Sequence, residues 1–174
     1  MVQWSLYGLL AILAQTKFIV ISTTFLLILY TRSMHFVYFV VGSCLTTLLA
    51  KALKRAFRQP RPHGLPGYGM PSTHSQAIAF FAAYFQCVTS AARNDDDDGK
   101  GLSWLVVNGV TLFALAVLWS RVRLQHHTVA QVLVGGLLGV LSALIWYSTW
   151  LTAIKPHVHP HTVYLFDKKL SLLE

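Results

Sequence analysis

Charge is scarce in this sequence. Of 174 residues only 11% are Asp, Glu, Lys or Arg, where an ordinary soluble domain carries about a quarter. Acidic residues are scarcest, six against fourteen basic, for a formal net charge of +8. Cysteine is nearly absent too. Cys44 and Cys87 stand alone inside apolar stretches, which excludes a disulfide framework or a zinc-ligand spacing and predicts two small buried hydrophobes. The N-terminus lacks a basic leader and a small-residue cleavage site, so the first hydrophobic segment is expected to be retained. What is abundant is apolar surface: 55% of the residues are hydrophobic and the mean hydropathy is +0.54. Too little polar surface remains to cover a globule in water, and a bilayer is the expected solvent.

Long uncharged runs carry that expectation further. Ser72 to Ala92, Gly101 to Ser120 and Leu124 to Ile154 contain no charged residue, and each approaches or exceeds the roughly 20 residues a helix needs to cross a bilayer. The pattern predicts an all-α integral membrane helical bundle, one transmembrane domain over residues 1–174. About five transmembrane helices are expected: Leu9–Tyr30, Met34–Leu53, Thr73–Ala91, Leu102–Ser120 and His127–Trp150. Gly135 and Gly139 form a small-xxx-small pair suited to close helix packing in lipid. Trp146, Tyr147 and Trp150 suit a membrane interface. Residues 54–71, with Pro60, Pro62, Pro66 and Pro71, are expected as a loop. The run Asp95 to Asp98 reads as a solvated loop in preference to a divalent-cation site. His157, His159 and His161 read as a polar tail in preference to a metal site.

The basic residues concentrate in two short segments, Lys51 to Arg61 and Arg121 to Arg123. They make no continuous basic face, so nucleic acid is not an expected partner. If all five segments cross, the loops that follow the second and fourth emerge on the same side, and the two basic segments share one membrane face. Three motifs lie there: Lys54 with Arg61-Pro62, Pro71-Ser72-Thr73-His74, and Ser120-Arg121 with His127. Phosphoryl transfer needs fixed positive charge around the outer phosphate oxygens, and Lys54, Arg61 and Arg121 supply three cations. Ser72 or Thr73 is expected to cap a helix, with Thr73 and Gln76 as a capping box, and a helix N-terminus attracts phosphate. His74, on the first turn, is placed to protonate a leaving oxygen. His127 is expected to open the last helix as a nucleophile, with Gln131 one turn on to fix its tautomer.

Together these motifs resemble the type 2 phosphatidic acid phosphatase superfamily. Its signature is Lys with a spaced Arg-Pro, then Pro-Ser-Gly-His, then Ser-Arg with a spaced His and Asp. Thr73 replaces the glycine and Gln131 the final aspartate. With Gln131, the segments 69–76 and 127–133 are similar to the dolichyl pyrophosphate phosphatase branch. The resemblance implies a cofactor-free and metal-independent hydrolase. His127 would be the nucleophile, His74 the acid and later base, and Lys54, Arg61, Ser72, Thr73 and Arg121 the phosphate-binding set. It implies dolichyl diphosphate as substrate, in the endoplasmic reticulum membrane with a lumenal site. Phosphatidate or an isoprenoid phosphate is the alternative substrate, and an inactive scaffold that binds anionic lipid the non-enzymatic one. Oligomeric state is left open.

Overall fold

The computed structural model describes residues 34–93 and 100–158, together with Gly8 and Ser22. The expected first span Leu9–Tyr30, the Asp95–Asp98 run, His159 and His161 lie outside the described residues, Ser22 apart. Among the described residues four long helices follow one another: α1 (Met34–Phe57), α2 (Thr73–Arg93), α3 (Lys100–Arg123) and α4 (Val129–Thr149). α4 runs on into a π-helical turn, Trp150–Ile154. Three of these regions are long and apolar enough to cross a membrane: Met34–Phe57, Trp104–Arg123 and Val129–Val158. The all-α bundle expected from the sequence is therefore present, while a count of five spans is not established.

α2 is the centre of the bundle. Its most extensive packing is against α4, with α3 and α1 on its flanks. One face of α2 buries Ile78 and Ala82 against Ala114 and Val117 of α3. Another buries Phe80, Ala83 and Tyr84 against Ala143 of α4 and Phe39 of α1. Enclosure explains why α2 carries His74, Ser75, Gln76 and Gln86 where the outer helices carry leucine. The outer helices expose Leu45, Leu48, Leu112, Leu133, Leu137 and Ile145, as lipid-facing surfaces do. Cys44 is also exposed on α1 and Cys87 is only half-buried, against the expectation that both are buried. In lipid an outward apolar side chain costs nothing.

The two expected glycines make the α2–α4 contact possible. A Cβ on Gly135 would lie 2.5 Å from the Ser72 carbonyl oxygen, and one on Gly139 would collide with the Gln76 carbonyl. The helices therefore touch backbone to backbone. That approach lets the Ser72 N–H donate to the Gln131 carbonyl at 3.1 Å.

Helix ends differ from expectation in ways that matter for chemistry. α1 continues four residues past Leu53, so Lys54 stands on its last turn and not in a loop. No proline or glycine interrupts 54–57, and basic side chains suit the negative end of the helix dipole. Likewise α3 extends to Arg123, placing Arg121 on a helix. Left-handed backbone follows both helices, at Arg58 (φ 48) directly after α1 and at Gln125 (φ 55) two residues after α3. N–H groups at these ends fold back on the cation-bearing turns: Arg58 N donates to Lys54 O at 3.1 Å, and His126 N to Arg121 O at 3.1 Å.

Candidate active site

The segments 58–72 and 124–128 meet at one end of the bundle, as alternating helix directions require. The first is drawn into a closed loop. Pro60 bridges Tyr68 in antiparallel sense, the Gly69 N–H donates to Gln59 O at 2.7 Å, and a short 3-10 turn spans Pro62–Gly64. Gly67 adopts φ 84, a left-handed backbone that glycine accepts without strain.

At the start of α2 the cap is Ser72 and not Thr73. The Ser75 N–H reaches the Ser72 hydroxyl oxygen at 3.4 Å, and the Ser75 hydroxyl donates to the same oxygen at 2.9 Å. With both acceptor positions used, Ser72 keeps one hydroxyl hydrogen to give. The expected Thr73–Gln76 capping box does not form. Gln76 is fully buried and neither amide atom has a hydrogen-bond partner. Thr73 and His74 stand on the first turn, half-buried.

The capping box belongs instead to α4, and sequence reasoning missed it. Thr128 is extended (φ −74, ψ 161) and accepts from the Gln131 N–H, while the Gln131 side chain takes the Thr128 N–H. α4 therefore begins at Val129, and His127 precedes the cap where it had been expected to open the helix. The pattern Thr-x-x-Gln was legible in both places. Ser72, one residue earlier, takes the cap on α2.

This box fixes the chemistry of His127. Gln131 Nε2 donates to the Pro60 carbonyl at 3.0 Å, an acceptor only, and to Gln59 Oε1 at 3.3 Å. Gln131 Oε1 receives the Thr128 N–H at 3.3 Å, from a donor only. Backbone groups at both ends leave the amide one orientation. Oε1 therefore faces His127 Nδ1, 3.1 Å away, and the ring nitrogen must carry the proton there. Nε2 of the neutral imidazole is left with its lone pair. The amide is wedged in place by Gly69, where any Cβ would collide with it.

Positive charge surrounds the ring. Burial lowers the His127 pKa first, and Lys54, Arg121 and Arg61 lower it further against the raising effect of Gln131, to about 4. Burial, with Arg121 and Arg61, also lowers that of His126. Main-chain bonds tie the pieces together: the His127 N–H donates to Arg121 O at 3.3 Å. Lys54 Nζ and Arg61 Nε both donate to one acceptor, the Tyr68 carbonyl oxygen, at 3.2 and 3.4 Å. Arg121 is 8% exposed, and its Nε has no partner. Lys54, Arg61, Arg121, His127 and Gln131 thus form one cluster, joined to Ser72 through the Gln131 carbonyl. Among the described residues no group of three His, Cys, Asp or Glu is arranged to hold a metal ion.

Comparison with known proteins bears directly on this cluster. Residues 35–155 match the PAP2 superfamily, a stretch that includes every member of it. The chain belongs to that superfamily. Human dolichyldiphosphatase 1 is 35% identical over 149 residues, 80% of this chain and 63% of the human protein. The chain thus spans less than two thirds of that relative's length. Lipid phosphate phosphatase epsilon 1, chloroplastic, of Arabidopsis thaliana is 33% identical over 126 residues, 67% of this chain and 41% of the plant protein. The fold is shared with a crystal structure from Bacillus subtilis, a transmembrane PAP2 type phosphatidylglycerolphosphate phosphatase. Its TM-score is 0.60 at 21% identity, over 85% of this chain and 70% of that one. Membership in the PAP2 superfamily and the apolar helices make this a multi-pass membrane protein.

Proposed function

We propose that the chain hydrolyses dolichyl diphosphate to dolichyl phosphate and inorganic phosphate through a phosphohistidine on His127. The observation that carries this reading is the Gln131 amide, held at both ends by backbone groups so that His127 Nε2 is an unprotonated lone pair inside a cluster of three cations. Similarity to dolichyldiphosphatases supports the substrate. Nε2 attacks the terminal phosphorus, a P–N bond forms and the bridging P–O bond breaks. The departing dolichyl phosphate oxygen takes a proton from His74. Water then attacks the phosphohistidine, His74 recovers a proton from it, the P–N bond breaks and phosphate leaves. Lys54, Arg61 and Arg121, with Ser72 and Thr73 at the start of α2, hold the phosphate oxygens. Ser72 has no exposed surface, so its contact with phosphate requires neighbouring side chains to part.

Three cations without a carboxylate among them repel a divalent ion, so turnover in EDTA is expected. The reading places the enzyme in the endoplasmic reticulum membrane with a lumenal site, returning the lipid carrier to protein N-glycosylation. His127→Ala in purified protein tests it. Phosphate release should fall on the order of a thousandfold or more, and no radiolabelled phosphoenzyme should be trapped. Undiminished turnover would remove His127 as nucleophile. The similarity to a plant lipid phosphate phosphatase favours a second reading, another lipid phosphate. Relative turnover of dolichyl diphosphate, phosphatidate and farnesyl diphosphate decides between them.

A further inference from the structure

Lys54 and Arg61 do more than gather charge, because both grip the same residue. Their shared acceptor is the main-chain oxygen of Tyr68, at 3.2 and 3.4 Å. Tyr68 is 42% exposed, with Leu65 nearby in sequence at 37%. An exposed aromatic ring is therefore anchored, through its own backbone, to two groups expected to bind the charged head of the substrate. The backbone that carries it is held: Tyr68 bridges Pro60, and the neighbouring Gly69 N–H donates to Gln59 O. A lipid diphosphate is a charged head joined directly to an apolar tail. When the head is drawn into the cluster, the first units of the tail leave past one wall of it, and Tyr68 is an exposed aromatic residue tied to the wall that carries Lys54 and Arg61.

We infer that Tyr68 is a specificity-determining residue whose ring packs against the first isoprenoid units of the substrate, so that the loop selects prenyl diphosphates over diphosphates without a tail. This rests on the proposed reading of the site. The carbonyl that Lys54 and Arg61 share belongs to the backbone and survives any substitution of the side chain. Ring and clamp can therefore be separated by mutation.

The test uses detergent-purified full chain with two substrates, farnesyl diphosphate and methyl diphosphate, the second having a head and no tail. Tyr68→Ala should raise KM for farnesyl diphosphate about fivefold to tenfold, as expected for losing part of an aromatic contact. It should leave the kinetics of methyl diphosphate unchanged. Tyr68→Phe should behave as wild type on both. Equal losses on the two substrates would mean that the ring acts through the head-group clamp or the fold, and would overturn the inference. No change on either would overturn it as well. Methyl diphosphate turnover by the Ala variant is the control for folding. His127→Ala, assayed alongside, separates the two claims. If it retains activity on both substrates the reading of the site fails. If it is inactive while Tyr68→Ala matches wild type, only the role of Tyr68 fails.

Discussion

The two ends of the bundle are held by different physics. At the far end α1 and α4 are clasped by rings. Tyr38 stacks on Trp146 with centroids 4.6 Å apart, and His35 stacks on Trp150 at 4.4 Å. Tyr38 and Trp146 also exchange side-chain bonds to each other's carbonyls at 3.1 and 3.0 Å, and Gly42 lies against the Trp146 ring. At the end that carries the candidate site the described residues hold few ring pairs, and the polar side chains are held by backbone. The Gln131 amide, the Lys54 amine and the Arg61 guanidinium all end on main-chain groups of the loop or the cap. Ring stacking tolerates small shifts with small losses. A hydrogen-bond frame of fixed carbonyls holds atoms to a fraction of an ångström, as catalysis requires. Stability and precision are thus assigned to opposite ends.

The largest effect should come from disturbing the frame through its backbone contact. Gly135→Val places a side chain where a Cβ alone lies 2.5 Å from the Ser72 oxygen. α4 must move off α2, the Ser72-to-Gln131 bond breaks, and phosphate release should become undetectable even in protein that purifies as a monodisperse species. Next comes Gln131→Leu, which keeps the volume and removes the amide. His127 loses the acceptor that fixes its tautomer, and kcat should fall roughly a hundredfold with KM little changed. A Gln131→Leu enzyme with wild-type kcat would show that the frame does not orient the ring.

How much of this was readable beforehand follows from the same contrast. Lys54, Arg61, Ser72, Arg121 and His127 were legible because hydrophobic runs separated by short polar segments must alternate direction. That alone brings the second and fourth connections to one end. The partners that orient them were not legible. Pro60 O, Tyr68 O and Gln59 act mainly through backbone or a neutral amide, and no residue type announces a carbonyl that receives two cations. Thr128 and Gln131 carried a readable capping pattern, yet the same pattern at Thr73 and Gln76 was equally good. Tertiary packing decided between them: Ser72 caps α2, and Gln76 is enclosed by neighbouring helices. The clasp was half legible, since Trp146, Tyr147 and Trp150 mark an end of α4 but not their partners His35, Tyr38 and Tyr84.

A substitution at the far end should separate stability from activity. Trp146→Ala removes the stack on Tyr38 and the bond to its carbonyl, at a cost of about 3 kcal/mol. Thermal unfolding in detergent should shift down, while kcat of the protein still folded changes less than about twofold, because the bonds that hold Gln131, Lys54 and Arg61 do not pass through Trp146. A parallel loss of kcat would mean that the two ends are mechanically coupled and the division described above is wrong.

The smallest effect concerns pH and sharpens the picture of the candidate-site end. His127 titrates at about 4 in the free site, held down by burial and then by Lys54, Arg121 and Arg61. The ring therefore stays neutral through the range in which an ordinary histidine, near 6.5, takes its proton. Since the folded pKa is depressed, the stability present above 6.5 is lost progressively as pH falls from 6.5 toward 4, the unfolded chain binding the proton first. The acidic limb of kcat/KM assigned to the nucleophile should accordingly lie near 4. Lys54→Met removes one of the charges that disfavour the imidazolium, so that limb should move upward, in addition to any loss of substrate binding. Gln131→Leu should move it the other way, because the amide oxygen stabilises the protonated ring. Opposite shifts from these two variants, read from pH profiles of kcat/KM, are a signature that a general loss of packing does not produce. Shifts of the same sign would mean that the limb belongs to another group.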